Sequence, residues 1–193
     1  FPFEKYLKSD YLHWKKGYNL TKNSETFIPA QKVYLYYKRL YDEKIIDISI
    51  STGLACGDSF YDAVLSGIYE RVERDAFNLT WLYKIPGRRI VVDEIDNREL
   101  KDLYSLICDN ILDDLYIIDI SIDTNIYTIL TLLVNKHTGS VGAAVACASN
   151  LNPEVALFKS LEELIQTYKF SYSLMYKKWD GEYKDINRID IAE

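Results

Sequence analysis

A chain of 193 residues, 48% hydrophobic and 27% charged, is long enough to bury one sizeable core, and this composition is that of a globular protein rather than a disordered one. Its formal net charge of −6 argues against nucleic acid or an anionic membrane surface as the main partner. No run reaches the roughly 18 apolar residues that suggest a membrane span, and the opening Phe-Pro-Phe-Glu-Lys lacks the basic head and apolar middle of a signal peptide.

Residues 1–30 are polar and aromatic, with turn chemistry at 14–17 and 21–24. Residues 31–37, rich in tyrosine and valine, predict a strand; residues 44–51, alternating isoleucine with aspartate and serine, predict a second. Gly53 and Gly57 break that run. Ser59 then predicts an N-cap, with Asp62 three residues on favouring the helix dipole. The helix is expected over residues 60–82, because Pro86 and Gly87 end it. Val64, Leu65, Ile68, Val72, Ala76 and Leu79 are its expected core stripe.

Residues 89–92 read as a short strand and residues 97–112 as a second helix begun by Asp96 or Asn97. Three strands follow, at 115–122, 127–135 and 140–148, joined by hairpin turns at 123–125 and 136–139. A last long helix starts near Pro153 with Asn152 as its cap, and carries Val155, Leu157, Phe158, Leu161, Leu164 and Ile165. Residues 177–193 are expected to be a charged, loose tail. This order predicts an α+β fold, a mixed and largely antiparallel sheet with long helices packed on it. No Pro/Gly/Ser-rich linker splits residues 1–176, so they read as one domain. The three cysteines, Cys56, Cys108 and Cys147, are widely spaced and odd in number, which suits a reducing cytoplasm better than zinc or disulfides.

The residues with the most chemistry lie on the first long helix. Ser66, Glu70 and Glu73 recur at i, i+4 and i+7 and share one stripe, which Arg74 borders. Gly67 inside a helix costs about 1 kcal/mol against alanine, which points to close approach by backbone or ligand. Glu163 and Gln166 form a similar i, i+3 pair on the last helix. If the two helices converge on one cleft, glutamate oxygens could hold Mg²⁺, a hard cation, while Arg74 meets phosphate. A second reading stays open. Helix glutamates are usually solvated, Glu70 and Arg74 could be a surface pair worth about 0.3–0.5 kcal/mol, and Asp58 and Asp62 are explained as helix-start residues. Spacing alone favours that second reading. Residues 53–57 lack the spacing and the lysine of a phosphate loop, and the 17 tyrosines and His13 carry no pattern of their own.

Taken together, three segments resemble the YcaO family. They are Ser-Thr-Gly-Leu-Ala-Cys-Gly at 51–57, Ser-Gly-Ile-Tyr-Glu-Arg-Val-Glu-Arg-Asp at 66–75, and the helix from Pro-Glu-Val-Ala-Leu at 153–157 through Glu163 to Gln166. The resemblance covers the chain from about Tyr11 to Gln166. It implies a YcaO-like α+β fold and an enzyme that uses ATP and Mg²⁺ to phosphorylate a peptide backbone amide oxygen. A neighbouring Cys, Ser or Thr side chain attacks that amide and the oxygen is lost, giving an azoline, as in bacteriocin-type peptide modification.

On this resemblance Glu70 and Glu73 are metal and nucleotide ligands and Arg74 contacts phosphate. Asp58, Asp62, Ser66, Glu163 and Gln166 complete the nucleotide cleft. Asp62 stands where the family usually has glutamate and Asp58 where asparagine is common, so their carry-over is the weaker part. The implied partners are a precursor peptide and a companion protein that binds its leader, with a homodimer left open. Other outcomes left open are a non-catalytic docking scaffold of the same fold and a thioamide- or amidine-forming member. The chain opens on Phe1 without an initiating methionine. Neither the family's earlier Glu-x-x-Glu-Arg-type motif nor its proline-rich C-terminal segment occurs in it, so it is read as a central fragment holding half of a nucleotide site. By itself it is expected to turn over little or no ATP.

Overall fold

The computed structural model describes residue 5 and residues 7–48, 50–111, 114–135 and 141–176. The turn expected at 136–139 and the tail expected at 177–193 lie outside these residues. The chain divides into two compact units, residues 1–55 and residues 56–193.

In the first unit, β1 (Trp14–Asn19) and β2 (Ser24–Pro29) pair antiparallel, from Trp14 opposite Pro29 to Asn19 opposite Ser24. The stretch at 14–17 is therefore strand rather than turn. The one at 21–24 does turn: Asn23 takes a left-handed φ of 51° and Asn19 Oδ1 accepts from the Lys22 N–H at 2.9 Å.

The two strands expected at 31–37 and 44–51 do not form among the described residues; residues 30–32 are a turn of 3₁₀ helix. The buried Gln31 side chain explains the difference. Its amide donates to the Lys44 carbonyl at 2.8 Å and accepts from the Ile46 N–H at 3.3 Å, replacing a backbone ladder with side-chain bonds. Tyr36 and Tyr41, at φ 53° and 55°, also break the extended backbone. The buried Glu43 carboxylate pins this loop by accepting from the backbone N–H of His13 and Leu40 and from the Tyr37 hydroxyl.

The second unit carries the site. Its four-stranded sheet runs β3 (Arg88–Arg89), β4 (Asp114–Asp119), β5 (Tyr127–Val134), β6 (Ala143–Asn150), with every described pairing antiparallel. The long helices α1 (Phe60–Tyr83) and α3 (Pro153–Tyr176) and the shorter α2 (Arg98–Asn110) pack on it. The α+β expectation holds. Strand alternation sends Ile129 and Leu133 of β5 to one face, where they meet Leu157, Leu161 and Leu164 of α3 and Leu100 and Ile107 of α2. Leu130 and Cys147 point to the other face and pack against Ala76 of α1. Full burial of one such leucine stabilises by about 1.5–3 kcal/mol. Thr131 Oγ1 donates to the Ser160 carbonyl at 3.0 Å, so β5 and α3 are bonded as well as packed.

The expected core stripe of α1 holds in part. Ala76 is buried and Val64, Val72 and Leu79 are half-buried, whereas Leu65 and Ile68 are exposed and Gly67 and Glu73 are buried in their stead. The side turned toward the sheet therefore mixes apolar and polar positions. Ala76 and the half-buried Phe77 supply the apolar contact, and the small Gly67 lies on the same side.

Candidate nucleotide-facing site

The site is built from the start of α1 inward. Ser59 is extended at φ −133° and accepts from the Asp62 N–H at 3.1 Å, while its hydroxyl donates to Asp62 Oδ2 at 2.6 Å. Gly57 fits tightly against this first turn. A Cβ there would meet Ala63 N at 2.6 Å and Asp62 Cβ at 2.7 Å, so the loop can approach the helix only without a side chain. Asp58 and Asp62 are exposed, and the Asp62 carboxylate is engaged in the cap.

Burial rises along the stripe that the spacing predicts. Ser66 is exposed, Glu70 is half-buried and Glu73 is 8% exposed. Arg74, half-buried, places its Nη2 2.8 Å from Glu73 Oε1. From α3, Glu163 is half-buried and acts on the same groups, whereas Gln166 is exposed. The four residues that come into mutual electrostatic range are thus Glu70, Glu73, Arg74 and Glu163. Asp62 does not join them. Eleven residues of helix separate it from Glu73, about 16 Å along the axis.

The charges act on one another. Burial pushes the Glu73 carboxyl up to about 7; the Arg74 guanidinium opposes the shift, while the Glu163 and Glu70 carboxylates add to it. A hydrogen bond from the Ser149 backbone N–H also favours the charged form of Glu73. Burial likewise raises Glu163, against Arg74 and with Glu70. The buried Cys147 thiol is raised by the same enclosure together with Glu73 and Glu163, so it is an inert thiol rather than a nucleophile. Among the described residues, this pocket of charge holds three carboxylates against one guanidinium.

Among the described residues no three His, Cys, Asp or Glu side chains stand close enough to hold a metal ion by themselves. The donor set still suits Mg²⁺, which commonly takes one or two carboxylates and fills its remaining positions with phosphate and water oxygens. A separate hollow of about 250 Å³, lined by Arg71, Asp75, Asp123 and Thr124 over Val72, Ala76 and Ile122, contains none of the site residues. Sequence spacing missed the Ser149 N–H and the neighbouring Cys147, because both reach the site only through the sheet. No described helix is long and apolar enough to cross a membrane.

The family model for YcaO cyclodehydratase, ATP- and Mg²⁺-binding, matches residues 1–192. Three solved structures share the fold. A heterocyclase in complex with substrate and cofactor matches with a TM-score of 0.76 at 21% identity, over 84% of this chain and 21% of that one. The E. coli microcin synthetase complex McbBCD with pro-MccB17 bound matches with a TM-score of 0.71 at 21% identity, over 93% and 45%. The YcaO protein of Methanopyrus kandleri bound with AMPPCP and Mg²⁺ matches with a TM-score of 0.64 at 23% identity, over 82% and 41%. The chain therefore spans less than half the length of each of these proteins.

Proposed function

The chain belongs to the YcaO family, and from that premise we propose that it forms one wall of the nucleotide cleft of an ATP- and Mg²⁺-dependent cyclodehydratase. The substrate on this reading is a precursor peptide, modified at Cys, Ser or Thr to an azoline, with a companion protein that binds the peptide leader. Two likenesses support the peptide and companion parts: a microcin synthetase complex with pro-MccB17 bound, and a heterocyclase in complex with substrate.

The observation that carries the reading is the convergence of Glu73, Glu70 and Glu163 around the single guanidinium of Arg74. A buried site that keeps a carboxyl protonated up to about neutral pH is short of positive charge. A divalent cation supplies that charge. Bound Mg²⁺-ATP would provide the phosphoryl group that activates the amide oxygen. Glu70 and Glu73 would hold the cation, with phosphate and water oxygens completing its shell, and Arg74 would meet a phosphate oxygen. Glu163, from α3, would add negative charge beside that cation without being its ligand, and Ser66 and Gln166, both exposed, would be left to the outer parts of the nucleotide. Asp58 and Asp62 serve the helix start first, and any nucleotide contact from them is additional.

The test is calorimetry of Mg²⁺-AMPPCP binding to the full-length protein at pH 7, in two buffers of different ionisation heat. Binding is expected to release a proton, because the cation ionises Glu73, and Glu73→Gln should abolish that release. Arg74→Ala should weaken binding by tenfold or more, about 1.4 kcal/mol. If both variants bind nucleotide as the parent does and peptide modification persists, the chain is a docking scaffold instead.

A further inference from the structure

Ser149, whose N–H meets Glu73, is held in place from β5. It is the last residue but one of β6, just before the chain turns through Asn152 into α3. Its cross-strand partner is Thr128. Thr128 turns both backbone groups toward the β4 side: its N–H donates to Ser121 Oγ at 2.9 Å and its carbonyl accepts from the Ile120 N–H at 2.9 Å. Opposed residues of an antiparallel pair exchange backbone bonds only at alternate positions, so Thr128 and Ser149 meet through their side chains. Their hydroxyl oxygens lie 2.7 Å apart, one donating to the other, and both residues are buried.

That bond is one link in a row. The Ser121 hydroxyl also donates to Asp119 Oδ1 at 2.6 Å, and Asp119 Oδ2 accepts from Arg88 at 2.6 Å. Thr128 is therefore fixed by its backbone on one side and reaches Ser149 with its hydroxyl on the other. Ser149 lies on the same face as Cys147, two residues earlier, which packs against Ala76 of α1. Glu73 stands three residues before Ala76, within one turn of that helix. The Ser149 N–H goes to its carboxylate. A hydroxyl pair inside a sheet usually serves stability alone. This one holds the residue whose amide touches a glutamate of the site.

We propose that Thr128 is a positioning residue for Glu73, acting through Ser149: its hydroxyl fixes the Ser149 N–H, and that N–H sets the direction in which the carboxylate meets the cation. The inference rests on the nucleotide reading for the cation, and adds a residue that touches neither metal nor nucleotide. A carboxylate already held by an N–H has less freedom left to lose when the cation arrives. Groups that orient a metal's ligands commonly change its affinity by about tenfold or more when they are removed.

The experiment compares Thr128→Val with Thr128→Ser in the full-length protein. Calorimetry reads Mg²⁺-AMPPCP affinity, and the amide proton resonance of Ser149 reads the contact with Glu73. Valine removes the hydroxyl and keeps the branched shape; serine keeps the hydroxyl. Thr128→Val should weaken binding about tenfold and move the Ser149 amide toward its position in Glu73→Gln. Thr128→Ser should restore both. A hydroxyl that serves stability alone would lower the urea midpoint in Thr128→Val and leave the Ser149 amide in place. Should Thr128→Val fail to fold, Ser149→Ala removes the other half of the hydroxyl pair, keeps the backbone N–H, and decides by the same fall in affinity. Unchanged affinity, an unmoved amide, or a Thr128→Ser variant that restores neither overturns the proposal. A parent protein that binds no Mg²⁺-AMPPCP sinks the nucleotide reading, and the amide resonance then still decides whether Thr128 places Ser149 against Glu73.

Discussion

Arg74 Nη2 lies 2.8 Å from Glu73 Oε1, yet the Glu73 carboxyl stands at about 7, well above its ordinary value. An arginine contact of this kind on the surface would pull a carboxyl down. Here burial outweighs the guanidinium, and Glu163 and Glu70 push in the same direction as burial. The pair is therefore an incomplete neutralisation rather than a finished salt bridge. The proposed cation site rests on that incompleteness.

The sign of the pH dependence follows. Glu73 binds its proton more tightly folded than unfolded, so its contribution to stability is fully present below about pH 4.5 and is lost as pH rises through 7. The loss is on the order of 3 kcal/mol. Glu163 acts in the same direction. Without nucleotide, Glu73→Gln should melt at a higher temperature than the parent at pH 8, and the two should converge near pH 4.5. Thermal melts across that range measure it. A parent protein that becomes more stable between pH 5 and 8 relative to Glu73→Gln would contradict the burial argument.

The coupling between helices is open to direct titration. Glu163→Gln removes a like charge supplied by α3 and should lower the Glu73 midpoint, whereas Arg74→Met removes the opposing cation and should raise it. Carboxyl carbon chemical shifts followed against pH report both. An unmoved midpoint in Glu163→Gln would mean that α1 and α3 do not share a site.

The start of α1 separates capping from binding. Ser59→Ala should cost about 1 kcal/mol in urea unfolding, because the Asp62 N–H loses its acceptor. Asp62→Asn keeps a polar partner for the Ser59 hydroxyl. It should leave AMPPCP affinity of the full-length protein within twofold. A larger loss would return Asp62 to the nucleotide cleft.

Gly57→Ala tests the close approach of the loop. The added Cβ would strike the backbone of Asp62 and Ala63, which cannot rotate away as a side chain can. We expect a loss of about 1–3 kcal/mol, read from denaturant midpoints. A neutral outcome would show that the loop moves freely off the helix.

Much of the second unit is legible from residue order, because its signals are local. Ser59 caps α1, Asn97 accepts from the Leu100 N–H at the start of α2, and Asn152 accepts from the Glu154 N–H at the start of α3. The first unit was read poorly for a physical reason. Residues 31–37 and 44–51 have strand-like composition, but the buried amide of Gln31 takes up the backbone groups that a ladder would use.

Residue order alone puts Glu70, Glu73 and Arg74 on one side of a helix, since a 3.6-residue period needs no partner. It could not determine that this side faces the sheet. The apolar stripe through Leu65 and Ile68 looked the better candidate for burial, and packing decided otherwise. Nor could it bring Glu163 and the Ser149 N–H to Glu73. That meeting depends on the position of β6 at the edge of the sheet, between α1 and α3, and strand order is a property of the whole chain's packing, which no local spacing records.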